Sequence, residues 1–262
     1  MSFHLRCSIL TDMFSHQQTL SHFSKNNMAI WLSMAFQAGT INTGGFLACG
    51  SFVSHVTGFS TQLGTEAAKG NFIRSLGLLS VPGFFLGGAM IAAFFIDRRI
   101  QTNRRPLYPV VMGLIFTLMS LVAVAGWLGV FGHFREPMGF TRDYSLLAAL
   151  CMACGIQNAT ITSAFGSVVR TTHLTGLTTD LGIGVVRVLS NSHKIQPRRY
   201  EIRANWMRIG IISSFTLGSF TSAYVYLHAE YWGFLIPAGI ASILLIWSAL
   251  AFKKIPTQEV AT

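Results

Sequence analysis

Five stretches of this chain carry no charged residue. Ser75–Ile96 runs for 22 residues, Pro106–Gly132 for 27, Tyr144–Val169 for 26, Ile209–Leu227 for 19 and Tyr231–Phe252 for 22. About 20 apolar residues, wound as a helix, cross the roughly 30 Å hydrocarbon layer of a bilayer. A helix is also how a single segment satisfies its own backbone N–H and C=O groups where no water reaches. These runs therefore predict five membrane-crossing helices. Met28–Gly50, which ends in a polar Gly/Asn-rich stretch, is a sixth. The fold class that follows is all-α: a polytopic membrane helix bundle. Composition agrees, with 51% hydrophobic and 11% charged residues, where a soluble domain carries about 25% charge.

The net charge of +10 does not indicate nucleic acid. That partner needs basic residues gathered on a soluble face. Here they lie between hydrophobic runs, where the retention of Lys and Arg on the cytoplasmic side accounts for them. The four cysteines form no disulfide framework. Cys151 and Cys154 make a CxxC, but inside an apolar helix and with no second pair, so helix packing is their expected role. Residues 1–27 hold no apolar core long enough for a signal peptide, and their three histidines (His4, His16, His22) have no regular ligand spacing. They read as a cytoplasmic tail. No metal and no other cofactor is expected.

With six spans and a cytoplasmic N-terminus, fifteen Lys and Arg fall inside. Four fall outside: Lys69, Arg74, Arg135 and Arg142. This bias places both termini in the cytoplasm. The domains are then a tail (1–27), a first repeat (28–131), an outer loop (132–143), a second repeat (144–252) and a C-terminal tail (253–262). A count of eight spans gives a similar sum. It exports the basic loop Asp97–Arg105, however, and asks Ser51–Lys69 to cross with His55, Gln62, Glu66 and Lys69 in it. Each charge at the bilayer centre costs about 2.5–3.5 kcal/mol even on the lenient scale.

The word "repeat" rests on two segments, HVTGFSTQLG (55–64) and HLTGLTTDLG (173–182). They match without a gap, and each follows a G-x-x-N: Gly39 to Asn42, and Gly155 to Asn158. A duplicated unit is the simple account. Three spans per unit is odd, so the second unit enters the membrane from the opposite side. The expected architecture is six transmembrane helices as a 3+3 inverted repeat, with broken or re-entrant segments after helices 1 and 4. Such repeats, with interrupted helices at matching positions, point to a secondary transporter. Freed backbone groups at a helix break can hold a solute, and Thr, Asn and Gln add neutral hydrogen-bonding groups. The expected substrate-binding residues in the first half are Asn42, Thr57, Gly58, Thr61 and Gln62. Their mates are Asn158, Thr175, Gly176, Thr179 and Asp180. His55 and His173 are proton-relay candidates, with structural hydrogen bonding as the alternative. Gly58 and Gly176 are expected to allow a turn or close approach. Arg187 is a candidate partner for Asp180, and residues 184–203 suit a helix on an anionic inner leaflet. The bland reading of small residues is helix packing. It is expected at Gly83 and Gly87 and at Gly44–Gly45, with Ser213, Ser214, Ser219 and Thr221 bonded to backbone.

The two regions GTINTGGFLACGSFVSHVTGFSTQLG and GIQNATITSAFGSVVRTTHLTGLTTDLG resemble the signature regions of the YoaK-like family. These are bacterial integral inner-membrane proteins under a domain-of-unknown-function label. The resemblance runs from about Met28 to Phe252. It implies a bacterial inner-membrane location and no assigned activity. The chain departs from the family pattern, which commonly has an acidic residue at Asn42 and an asparagine at Phe59. With asparagine there, the first break lacks the carboxylate on which a proton- or cation-coupling role for that position would rest.

The functional expectation is a transporter or permease for an unknown small solute or ion, embedded in the lipid bilayer, with its site between the two TG segments. The alternatives are a non-transporting scaffold or sensor, or an intramembrane enzyme. Against the enzyme, the chain has no HExxH, GxSxG or P-loop and no paired intramembrane carboxylates. Nothing in the sequence specifies an oligomeric state.

Overall fold

The computed structural model describes residues 25–135, 142–165, 174–190 and 197–254. Among them the regular structure is helical throughout: α1 (Lys25–Cys49), α2 (Val56–Ala68), α3 (Phe72–Phe95), the short α4 (Asp97–Gln101), α5 (Tyr108–Trp127), α6 (Arg142–Phe165), α7 (Leu174–Leu189), α8 (Arg198–Ala229), a 3-10 turn (Glu230–Phe234) and α9 (Leu235–Lys254). Four stretches are long and apolar enough to cross a membrane: Gly77–Gln101, Tyr108–Trp127, Tyr144–Ser163 and Arg198–Phe252. The last, at 55 residues, takes in α8 and all but the end of α9. The chain is by this measure a multi-pass membrane protein.

The sixth expected span, within α1, is not among those stretches. Gln37, Thr40, Asn42 and Thr43 lower its hydropathy. The packing gives the reason such a helix is tolerated. α1 and α6 form the centre of the bundle, with Ala35, Ala38 and Ile41 on one and Leu146, Leu150 and Cys154 on the other fully buried. The outward faces belong to other helices: Met90 of α3 is 63% exposed, Phe220 of α8 78% and Ile243 of α9 61%. Large apolar side chains on an outer surface are what lipid requires.

A single four-residue pattern builds the two main crossings. Phe36-x-x-Gly39 in α1 packs on Phe215-x-x-Gly218 in α8, and Phe85-x-x-Gly88 in α3 packs on Met152-x-x-Gly155 in α6. A Cβ on Gly39 would run into the carbonyl of Phe215, and one on Gly218 into the carbonyl of Phe36. The other crossing repeats this reciprocity, Gly88 against the Met152 carbonyl and Gly155 against that of Phe85. Small residues at such contacts let backbones approach where no hydrophobic force drives helices together. Gly83 and Gly87, the expected packing pair, have nothing within 4 Å of an added Cβ. The contact is made one residue later, by Gly88. Gly44 does pack, against Tyr226 and Phe234, and Gly45 against Val53.

Helix directions follow from contacts along each pair. Ser214 Oγ donates to the Leu32 carbonyl (2.7 Å), Ser219 Oγ to that of Gly39 (3.3 Å), and Gly44 lies under Tyr226. Positions advance together, so α1 and α8 run the same way. Gly77 faces Tyr144 and Gly88 faces Met152, so α3 and α6 also run together. In contrast, Gln37 of α1 bonds the Pro237 carbonyl while Gly44 meets Phe234, so α9 runs against α1. α9 also runs against α5, since Gly113 lies near Leu245 and Gly126 against Tyr231. Leu107 N–H donates to the Phe95 carbonyl at 3.0 Å, which draws the end of α3 to the start of α5. Hence α1, α5 and α8 point one way, and α3, α6 and α9 the other.

The TG segments are not broken. They form α2 and α7, regular helices of 13 and 16 residues. At 1.5 Å per residue these are about 20 and 24 Å long, short of a roughly 30 Å crossing. Nor does α1 break at Asn42 or α6 at Asn158. The interruption comes after Cys49, where Gly50 (φ +63°) takes the left-handed conformation that stops a helix.

Candidate functional site

Asn42 sits half-buried near the end of α1. Its Oδ1 accepts from the backbone N–H of Ser54 (3.3 Å) and from Ser54 Oγ (2.9 Å). It thus pins the 50–55 loop that leads into α2. His55, exposed, stands just before α2 and makes no side-chain cap there. Phe59 and Glu66 are the buried residues of α2, turned toward α3. Glu66 accepts from Lys69 Nζ (3.0 Å) and Asn71 Nδ2 (2.9 Å), and Ser75 Oγ donates to the Leu63 carbonyl, which fixes the corner.

Most of the other polar TG residues face outward, while Leu177 of α7 is buried. Thr57 and Thr61 are exposed, as are Thr175, Gly176, Thr179 and Asp180, and Gln62 is half-buried. Thr61 Oγ1 bonds the Thr57 carbonyl and Thr179 Oγ1 the Thr175 carbonyl, each four residues back on its own helix. This is how a threonine in a helix disposes of its hydroxyl when no other partner is near. An added Cβ at Gly58 would meet only His55 Cβ, at 3.8 Å, and at Gly176 nothing within 4 Å. Neither glycine serves a turn or close approach. Each TG helix packs on the helix after it, α2 on α3 and α7 on α8. Asn158 is half-buried on α6. His173 lies outside the described residues.

Asp180 does not take Arg187. That guanidinium reaches Glu201 of α8 at 3.2 Å, and Arg208 approaches the same carboxylate at 3.8 Å. Glu201 is only 4% exposed. The sequence pointed to the arginine but not to its partner, because the pairing joins two helices rather than two turns of one. Cys151 and Cys154 are buried free thiols within the α6 core.

The buried polar side chains of the two central helices are ones that sequence reasoning passed over. Gln37 and Thr40 of α1, and Gln157 and Thr160 of α6, are all buried. Gln157 Nε2 crosses from α6 to the Met34 carbonyl of α1 (2.6 Å), and Gln37 Nε2 crosses to Pro237 of α9 (2.7 Å). The Oε1 atoms of both glutamines are buried without a hydrogen-bond partner among the described residues. A buried acceptor left unsatisfied costs on the order of 1–3 kcal/mol, so two of them on the central helices ask for a partner. The available signal was their position. Gln37 lies two residues before Gly39, and Gln157 lies inside the GIQN that was read only for its Gly and Asn.

Among known proteins, a family model described as a protein of unknown function (DUF1275) matches residues 30–247. No curated protein matches the chain, and no solved structure does.

Proposed function

With the chain's membership of the DUF1275 family of unknown function as premise, we propose that it is a small-solute transporter of the bacterial inner membrane, built as a 3+3 inverted repeat. Its pathway follows the seam between α1 and α6. The buried Gln37 and Gln157, each with an unpartnered acceptor oxygen, carry this reading. Oxygen acceptors in a dry, central position suit a solute that donates hydrogen bonds, or a cation. No fixed charge is needed.

The inverted repeat draws support from helix direction. Unit one is α1, α3 and α5; unit two is α6, α8 and α9. Their directions alternate within each unit and are opposite between units. Had α2 and α7 crossed as well, α1 and α5 would run oppositely, whereas they run together. The equivalent crossings of α1 on α8 and α6 on α3 use the same Gly contacts. Two such units, related by an axis in the membrane plane, can rock around a fixed central site. The scaffold reading remains the rival, in which the seam is an interface alone.

Two experiments test this. The first is topology. Trp127 and Trp232 lie 5.7 Å apart, placing the end of α5 beside the α8–α9 turn, while Thr102 lies at the other end of α5. In intact cells, an impermeant thiol reagent modifies His228→Cys and not Thr102→Cys. The reverse pattern removes the orientation, and labelling of both removes the six-span count. The second is a thermal-shift screen of the purified protein against small neutral and cationic metabolites, where a solute that stabilises it identifies the ligand class.

A further inference from the structure

We propose that the junction Phe94–Leu107 is a binding site for one anionic phospholipid. A cleft of about 250 Å³ opens there, lined by Phe94, Phe95, Arg98, Arg99, Arg104 and Leu107, with Thr102 at its edge. Four arginines stand within eight residues, 98 to 105. Among the described residues none of them pairs with a carboxylate. Asp97, the acid beside them on α4, accepts from Gln101 Nε2 at 2.7 Å. Arg99 Nε donates to the Arg105 carbonyl (2.6 Å), which folds the loop back on itself and holds the guanidiniums together. Arg105 does not line the cleft, and its Nη2 is buried with no hydrogen-bond partner among the described residues. Arg98 and Arg104 are exposed and Arg99 half-buried at this half-open cleft, so their charges are presented to the membrane surface, and their fork geometry matches phosphate oxygens.

The floor decides between a lipid and a free anion. Phe94, Phe95 and Leu107 are apolar, and Arg98 lies over the Phe94 ring at 5.0 Å. Phe94 ends a stripe on α3 that includes Leu79, Leu86 and Met90, each at least half exposed. These positions fall seven, four and four residues apart, on one helix face. Arg98 comes four residues after Phe94. Acyl chains lying on that stripe bring their headgroup to the cleft. Basic pockets at helix ends hold anionic headgroups in this way. The inference rests on the apolar spans and not on transport.

The test is thermal unfolding of the full-length protein in a zwitterionic detergent, titrated with dioleoyl phosphatidylglycerol, dioleoyl phosphatidylcholine or inorganic phosphate. Phosphatidylglycerol stabilises the protein saturably and phosphatidylcholine does not. With roughly 1 kcal/mol per basic side chain near the headgroup, the R98Q/R104Q variant raises the apparent dissociation constant roughly thirtyfold. The R135Q variant, with one exposed arginine beyond the opposite end of α5, leaves it unchanged. Equal stabilisation by both lipids overturns the proposal. So does equal stabilisation by inorganic phosphate, which makes the ligand a free anion, and so does an unchanged constant in R98Q/R104Q. Should that variant fail to fold, R104Q alone carries the test, with about a fivefold weakening expected and no change overturning it.

Discussion

Valine at Gly39 or at Gly155 strongly destabilises the folded bundle, whereas alanine at Gly58 or Gly176 does not. At Gly39 the obstruction is the Phe215 carbonyl, and at Gly155 it is that of Phe85. Backbone cannot rotate out of the way as a side chain can, so the whole helix must retreat. Overpacking a core costs about 1–3 kcal/mol where side chains can adjust, and the upper end of that range or more applies here. A loss of about 3 kcal/mol lowers Tm by roughly 6–12 °C in a chain of this size. Gly88→Val and Gly218→Val behave alike, because they form the reciprocal halves of the same two crossings. Gly176→Ala meets open space and lies inside α7. There alanine gains up to about 1 kcal/mol of helix propensity over glycine. Tm and the monodisperse fraction in detergent read all six variants. Equal tolerance at Gly39 and Gly176 contradicts the packing described here.

Leucine at Gln37 or Gln157 separates function from stability. Each change deletes one interhelical donor, worth about 0.5–1.5 kcal/mol, but also removes a buried acceptor that had no partner. The two effects offset, and Tm stays within about 4 °C of the wild type. A solute held by those oxygens loses a hydrogen bond worth on the order of 1–3 kcal/mol, or roughly ten- to a hundredfold in affinity. The solute found in the thermal-shift screen supplies the readout. Thr61→Val and Thr179→Val are the controls, since those hydroxyls already bond their own helices and face outward. Undiminished binding in both glutamine variants removes the seam as the site.

Why the sequence spoke clearly about some elements and not others has physical causes. Charge-free runs locate α3, α5, α6, α8 and α9 because desolvating a charge is so costly that its absence is informative. The matched TG words identified equivalent α2 and α7 but not their form. Glycine, threonine and asparagine suit both a broken helix and an intact one, and only tertiary contacts decide. The Phe/Met-x-x-Gly pattern escaped notice since a single glycine in an apolar helix is ordinary. It acquires meaning only when four copies meet in pairs. Gln37 and Gln157 were hidden in the same way. In one sequence a glutamine facing the centre of the bundle looks the same as one facing out. Asn42 was legible as a special position, although its partner is Ser54 and the role seen is to hold a loop.

An alternating pathway requires water and solute to reach the α1–α6 seam from each side in turn. Thr40→Cys and Thr160→Cys place thiols inside the two central helices, on side chains 0% and 3% exposed, in a background with the four native cysteines replaced by alanine. A small charged thiosulfonate is applied to right-side-out and to inside-out membrane vesicles. An alternating pathway gives modification from both sides, slowed from one side by saturating solute. Thiols that stay unmodified from both sides, in protein that remains folded, would make the seam a dry interface and the chain a scaffold.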